Sequence, residues 1–148
     1  MPGNQPLTIG ADLFSSSIAH LIAGTQALII TDNTVASHHL GHIQAAVPIE
    51  QCDTIILPAG EKNKTMPIYQ TCIDCLLKNN HHRDTTIITL GGGVITDLGA
   101  MVAATYQRGT HLIHIPTTLL AQVDACIGGK AALNHLHEIG RASCRERV

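Results

Sequence analysis

The sequence predicts an α/β fold: a Rossmann-like, mostly parallel sheet with helices on both faces. Three observations carry that prediction. Short apolar runs rich in β-branched residues recur four times, as buried parallel strands require. Stretches with apolar residues at helical spacing separate them. No internal repeat or low-complexity linker interrupts the alternation, which is the signature of a sheet covered on both faces. With 148 residues, 45% of them apolar, the chain has the length of one domain and the material for a core.

Taken in order, Asp12 to Ala23 reads as a first amphipathic stretch, and Ala27 to Asp32 ("ALIITD") as the first strand. Val35 to Gln44 is helical in pattern, and Asp53 to Ala59 ("DTIILPA") is the second strand. Thr65 to Asn79 carries apolar residues at Met66, Ile68, Tyr69, Ile73, Leu76 and Leu77, a helical spacing. Thr85 to Gly91 ("TTIITLG") and Thr110 to Pro116 ("THLIHIP") are strands; Val94 to Tyr106 and Leu119 to Ile127 are helices.

Composition excludes several classes of function. A net charge of −2 gives no basic field for nucleic acid or an anionic membrane. With no Trp, one Phe and two Tyr, the stacking platforms of single-strand binders are missing. No apolar run reaches the ~18 residues of a membrane span, and "MPGNQPLTIG" lacks the pattern of a signal peptide. A soluble cytoplasmic protein is expected. The five cysteines, an odd number without a secretory signal, read as reduced thiols. Cys72 and Cys75 form a C-x-x-C deep inside a helical pattern, where packing is expected rather than redox or zinc chemistry. His38, His39, His42, His81 and His82 fall where helices are expected to end, a position suited to a cationic side chain. No familiar metal-ligand spacing accompanies them.

In parallel α/β sheets, ligands bind beyond the carboxyl ends of the strands. That rule selects Thr31-Asp32-Asn33, "PAGEKNK" (Pro58 to Lys64), "GGGVITD" (Gly91 to Asp97) and "PTTLLAQVD" (Pro116 to Asp124). The glycine loop misspells G-x-G-x-x-G, because Thr96 stands where the third glycine belongs. Residues without Cβ let a phosphate approach the backbone, and the free N–H groups of a helix starting near Val94 would face that anion. Asp97 falls in the first turn, favoured there by the helix dipole. A tight turn followed by a helix-start acid explains the same letters, and the loop alone does not decide. Glu61 suits a ribose diol and Lys64 a phosphate, against the alternative of a solvated charged loop. Thr117 and Thr118 suit helix capping or a ligand. Asp124 stands among Leu120, Val123 and Ile127, so burial and a partner or ligand are expected for it. "GGK" (Gly128 to Lys130) offers a lysine past a flexible helix end.

In their order and spacing, "LPAGEKNK", "RDTTIITLGGGVITDLGAMVAATYQRG" and "IPTTLLAQVDACIGGKAALNH", with the weaker "LIITDNTVA", resemble the 3-dehydroquinate synthase family of the shikimate pathway, over roughly Leu7 to His137. The resemblance implies an N-terminal NAD-binding α/β domain followed by a helical domain that carries a divalent metal, zinc or cobalt. It also implies the aromatic-biosynthesis reaction that turns 3-deoxy-arabino-heptulosonate 7-phosphate into 3-dehydroquinate and phosphate, with NAD recycled within each turnover, and a homodimer when full length. By the same resemblance, Asp32, Glu61 and Lys64 hold NAD. Gly92, Gly93, Val94 and Asp97 seat its phosphates and neighbouring groups, with Thr117 and Thr118 beside them. Asp124 and Lys130 face the substrate and the nicotinamide end. Arg108 serves the substrate phosphate, across a dimer interface. Thr96 departs from the family's glycine, a change a small hydroxyl makes tolerable. Other sugar-phosphate cyclases, polyol dehydrogenases of the same broad fold, and a non-catalytic NAD-binding module are the alternatives; the "IPTTLLAQVDACIGGK" run favours the synthase.

The family's Lys-Asn pair after "GGKAALNH" falls here at Ile139 and Gly140, which cannot do its work. Glu138 to Val148 holds three Arg and two Glu in eleven residues, breaks the apolar pattern, and back-translates into a sequencing-library adapter. The expectation is therefore an NAD-binding domain over 1–137 and a non-native tail over 138–148. The family's metal ligands, one Glu and two His of the second domain, have no counterpart by position among the ten histidines here. An inactive fragment that displays apolar surface is expected.

Overall fold

The structure is a computed structural model that describes residues 7–9, 18–129 and 131–134. All four β-branched runs form strands within two residues of the expected bounds: β1 (Gln26–Asp32), β2 (Gln51–Leu57), β3 (Thr86–Gly91) and β4 (His111–Pro116). They make one sheet in the order β2-β1-β3-β4, parallel throughout, with Ile30 paired to Ile55 on one side and to Thr89 on the other.

Alternation along the strands feeds two cores. Leu28, Ile30 and Ile87 meet Cys72 and Leu76 of α4 (Met66–Lys78) and Leu98 and Val102 of α5 (Gly93–Thr105) on one face. Ala27, Ile29, Ile88 and Leu90 meet Ile18 of α1 (Ile18–Leu21) and Ile43 of α3 (Gly41–Ala46) on the other. Each fully buried Leu or Ile contributes about 1.5–3 kcal/mol, which is why the sheet centre is apolar on both sides.

A side-chain cap sets the start of the first helix after β1. Asp32 Oδ1 accepts the N–H groups of Thr34 and Val35, both at 2.9 Å, so α2 (Asn33–Val35) begins two residues before the expected Val35. A π turn (Ala36–Leu40) joins it to α3. Gly41 keeps helical angles (φ −60°, ψ −37°), so the run continues. His38, His39 and His42 therefore lie exposed within a helical run rather than at its end.

Thr89 fixes how close α5 lies to the sheet. A Cβ on Gly99 would collide with Thr89 Cγ2, so the helix approaches only because residue 99 has no side chain. Gly99→Val is expected to destabilise the domain by about 1–3 kcal/mol through overpacking. Urea denaturation measures this as a lowered midpoint with an unchanged slope.

Cys72 is completely buried, and burial, aided by nearby Cys75, pushes its thiol up to about 12. The C-x-x-C is a packing element. At the amino-terminal edge of the sheet, polar residues tie the turns down. The buried His81 ring sits with Nε2 2.8 Å from Asp53 Oδ2 and Nδ1 3.2 Å from Thr85 Oγ1. Gln26 Oε1 accepts the His82 N–H at 2.7 Å, and Tyr106 Oη donates to the His81 carbonyl at 2.7 Å. Among the described residues no helix is long and apolar enough to cross a membrane.

Candidate functional site

β1 lies between β2 and β3, so the chain leaves β1 toward one neighbour and later returns on its other side. The loops after β1 and β3 therefore diverge, and a crevice opens at the carboxyl ends where they part. Asp32 ends β1 and Gly91 ends β3 at this point. Thr31 Oγ1 donates to the Leu90 carbonyl at 2.8 Å and locks the two strand ends together. Asn33 Oδ1 accepts from the Ala59 N–H at 3.1 Å, which draws the loop after β2 to the same edge.

That loop carries a short 3-10 turn, Glu61–Asn63, held by Asn63 Nδ2 donating to the carbonyls of Pro58 and Ala59 at 2.9 and 3.0 Å. Lys64 follows it and points inward. Its Nζ lies 2.7 Å from Asp97 Oδ2 and 3.5 Å from Glu61 Oε1. The side chains of Lys64 and Asp97 are 11% and 13% exposed, so the pair is nearly dry. Burial pulls the Lys64 ammonium toward neutrality, but the hydrogen bond and charge of Asp97, with Glu61 beside it, outweigh burial and raise its pKa above the usual lysine value. Asp97 Oδ1 is buried and has no hydrogen-bond partner among the described residues. Buried carboxylate oxygens are ordinarily satisfied, so this one is positioned to accept from something else.

The three loop glycines have different reasons to be glycine. A Cβ at Gly91 would lie 2.8 Å from Ile95 Cγ1, and one at Gly92 would lie 3.2 Å from Thr118 Cγ2. Only Gly93 faces open space, with nothing within 4 Å of a Cβ built there. Gly93 opens α5, so Asp97 falls just past the first turn rather than within it. The Ile95 and Thr96 N–H groups donate to the Gly92 carbonyl at 3.1 and 3.0 Å, and the positive end of the helix dipole lies at that space. Thr96, in place of a third glycine, is buried and donates from Oγ1 to the carbonyl of Gly93 at 3.1 Å. Its hydroxyl braces the first turn of the helix instead of meeting a ligand.

Residues 54–141 match the family described as 3-dehydroquinate synthase N-terminal. The chain belongs to the 3-dehydroquinate synthase family. The match ends within the 138–148 tail. A 3-dehydroquinate synthase of Legionella pneumophila (strain Lens) is 53% identical over 118 residues, 80% of this chain and 32% of that protein. The chain thus spans about a third of the length of this relative. Among solved structures, a 2-epi-5-epi-valiolone synthase from Streptomyces hygroscopicus subsp. jinggangensis 5008, with NAD+ and Zn2+ bound, superposes with a TM-score of 0.75 at 26% identity, covering 88% of this chain and 38% of that one. A 2-deoxy-scyllo-inosose synthase complexed with carbaglucose-6-phosphate, NAD+ and Co2+ superposes with a TM-score of 0.72 at 22% identity, covering 84% and 35%. These sugar-phosphate cyclases share the fold.

Of the residues named from sequence, the structure of this family member gathers Asp32, Glu61, Lys64, Gly92, Gly93, Val94, Asp97, Thr117 and Thr118 at one edge of the sheet. The Thr117 N–H donates to the Gly91 carbonyl at 3.0 Å, and Thr118 Oγ1 accepts the Ala121 N–H at 3.2 Å. Thr118 therefore caps the helical turns that follow, while its methyl packs on Gly92. Burial expected for Asp124 is not found. In the π-helical turn Ala121–Ala125 only the two small alanines turn inward, and Asp124 is exposed together with Leu119, Leu120, Val123 and Ile127. Lys130 lies outside the described residues.

Arg108 is not part of this cluster. α5 has 13 residues, ~20 Å of helix, and Arg108 follows its far end, at the amino-terminal edge of the sheet. Gln107 and Arg108 both adopt positive φ (50° and 68°) ahead of Gly109, a conformation held against its own preference. A recess of about 480 Å³ lined by Arg83, Asp84 and His111 opens at that same edge. A second, of about 270 Å³, lies along α5 and β4 and reaches His114. Neither coincides with the Lys64–Asp97 crevice, so chemistry rather than volume marks the site.

Two residues without a role in the sequence motifs stand by the site, His114 through Asp97 and Asn134 through Glu61. His114 Nδ1 lies 2.7 Å from Thr89 Oγ1, and burial lowers its pKa despite the opposing pull of the Asp97 charge. Asn134 donates from Nδ2 to Glu61. In sequence His114 is one of two histidines in an otherwise apolar strand, and nothing there separates it from His111. Among the described residues, no group of three His, Cys, Asp or Glu side chains is placed to hold a metal ion.

Proposed function

We propose that this chain is the NAD-holding part of a 3-dehydroquinate synthase, with 3-deoxy-arabino-heptulosonate 7-phosphate as the substrate of the whole enzyme and 3-dehydroquinate and phosphate as its products. The observation that carries the reading is Asp97 Oδ1, a buried acceptor without a partner among the described residues, beside the one loop glycine that opens on free space. A dinucleotide answers both features. Its pyrophosphate fits over Gly93 at the start of α5, with Gly92 and Val94 beside it, where backbone N–H groups and the helix dipole favour an anion. A hydroxyl or amide of the nucleotide then satisfies Asp97. Glu61 and Asp32 accept from ribose hydroxyls, and Lys64, 2.7 Å from Asp97 Oδ2, holds Asp97 in place. Thr117 and Thr118 close the far wall.

NAD held by Asp32, Glu61, Asp97 and the Gly92–Val94 loop would supply reversible hydride transfer with the carbon that bears a substrate hydroxyl. The chain's own residues orient the cofactor and keep water from its buried side. Asp124 and Lys130 are assigned to the substrate side. Arg108, an α5 length away, is assigned to the substrate phosphate of a second copy in a homodimer; its strained turn supports a functional posture. The described residues do not fit a divalent metal. The 53% identity to a dehydroquinate synthase, against 26% to a valiolone synthase, favours the dehydroquinate reaction over that of another cyclase.

Incubating the chain with NAD+, a zinc salt and the heptulosonate phosphate tests the proposal. Bound NAD+ without release of inorganic phosphate is the expected result. Phosphate release would show that the chain alone carries the reaction through elimination, against the assignment of the missing groups to other residues.

A further inference from the structure

We infer that Asn134 is a positioning residue that aims the Glu61 carboxylate, and that it joins the segment after the Gly128–Gly129 turn to the Glu61–Lys64 turn. The inference rests on the proposed NAD reading of that turn. Asn134 meets it at three atoms. Its N–H donates to the Lys64 carbonyl at 2.7 Å, next to a parallel bridge between Thr65 and Asn134. Its Nδ2 donates to the Glu61 carbonyl and to Glu61 Oε1, both at 3.1 Å.

The turn braces itself, through Asn63, only along its backbone. Nothing in that bracing sets the direction of the Glu61 side chain, which is 56% exposed. Two cations or donors do: Asn134 Nδ2, and Lys64 Nζ at 3.5 Å. Both engage the same oxygen, Oε1. With Oε1 held, rotation of the carboxylate is restricted and Oε2 is presented outward as an acceptor for a sugar hydroxyl. An amide suits this role because it donates a hydrogen bond without adding charge.

Asn134 follows Gly129 by five positions, and Gly129 sits at φ +58° in the turn that ends the preceding helix. The clip therefore fixes where that segment returns to the sheet. A cofactor that engages Glu61 also tightens the segment, and the segment in turn pre-orients Glu61 for the cofactor.

The experiment uses the full chain and NAD+ as the probe, in a double-mutant cycle with Asn134→Asp and Glu61→Gln. Aspartate matches asparagine in shape and keeps the backbone bond to Lys64, but it sets a carboxylate against Glu61. Asn134→Asp is expected to raise the NAD+ dissociation constant about tenfold, a lost charge-assisted hydrogen bond plus like-charge repulsion. In the Glu61→Gln background the same change is expected to cost less than about twofold, since no carboxylate remains to repel or to aim. Circular dichroism checks that each variant folds, and Asn134→Ala, which removes the donor without adding charge, is expected to fall between wild type and Asn134→Asp. An equal loss in both backgrounds would overturn the inference, because a purely structural residue costs the same whatever stands at 61. Unchanged affinity in both Asn134 variants would overturn it as well. Absence of NAD+ binding by the wild-type chain is a different failure: it defeats the cofactor reading on which the inference rests.

Discussion

Asp97→Ala is expected to lower the stability of the domain by about 3 kcal/mol and to remove NAD+ binding. Breaking a buried ion pair from one side leaves an uncompensated charge, with typical losses of about 3–5 kcal/mol. Glu61, 3.5 Å from Lys64 Nζ, remains as a partial partner and sets the expectation at the lower end. The dependence on pH identifies the mechanism. The Lys64 pKa is raised in the folded state, so the stabilisation it reports is fully present below the unfolded value of 10.5 and is lost as pH rises through the folded value. Urea denaturation of wild type and variant should therefore differ by a constant amount from neutral pH to about pH 9, and the two curves should converge above 10.5. A constant difference into strong alkali would mean that Asp97 acts by packing and not by charge.

Gly93→Asp separates a phosphate seat from an ordinary helix start, because the two predict opposite results. A carboxylate at the first position of α5 meets open space and a favourable helix dipole, so the unliganded domain should gain about 0.3–1 kcal/mol. The same carboxylate would occupy the place assigned to the pyrophosphate and repel it, and like-charge contact costs several kcal/mol. An unchanged or raised melting temperature, together with at least about a hundredfold loss of NAD+ affinity, is the expected pair of results. A variant that binds as well as wild type would make Gly93 part of a turn and nothing more. Gly91→Asp gives no such information, since Ile95 already fills the space of its Cβ.

The sheet was legible in sequence because its central strands are buried on both faces. Runs such as Leu28–Ile30 and Ile87–Ile88 can be continuous only in a covered sheet. Strand order was not legible, and with it went the pairing of Lys64 with Asp97. Each was named as a candidate, but 33 positions separate them, and only the arrangement of α4 and α5 on one face brings them to 2.7 Å. Local capping decided the rest. Asp32, expected to hold NAD, starts its helix with Oδ1, which leaves the acid at the crevice with that oxygen already engaged. The three consecutive glycines left a phosphate seat and a tight turn both open, and two of them answer to side chains beyond the glycine run, Ile95 and Thr118. The His81–Asp53 pair and Asn134 gave no sequence signal because their partners lie 28 and 73 positions away.

The central claim is that Glu61, Lys64, Asp97 and the Gly93 helix start form one NAD site at the divergence of β1 and β3. Isothermal titration of the full chain with NAD+ tests it most directly. Saturable one-to-one binding in the micromolar range, about −8 kcal/mol, and its loss in Gly93→Asp are the predicted result. A chain that is folded by circular dichroism yet gives no saturable heat with NAD+ at millimolar concentration would contradict it.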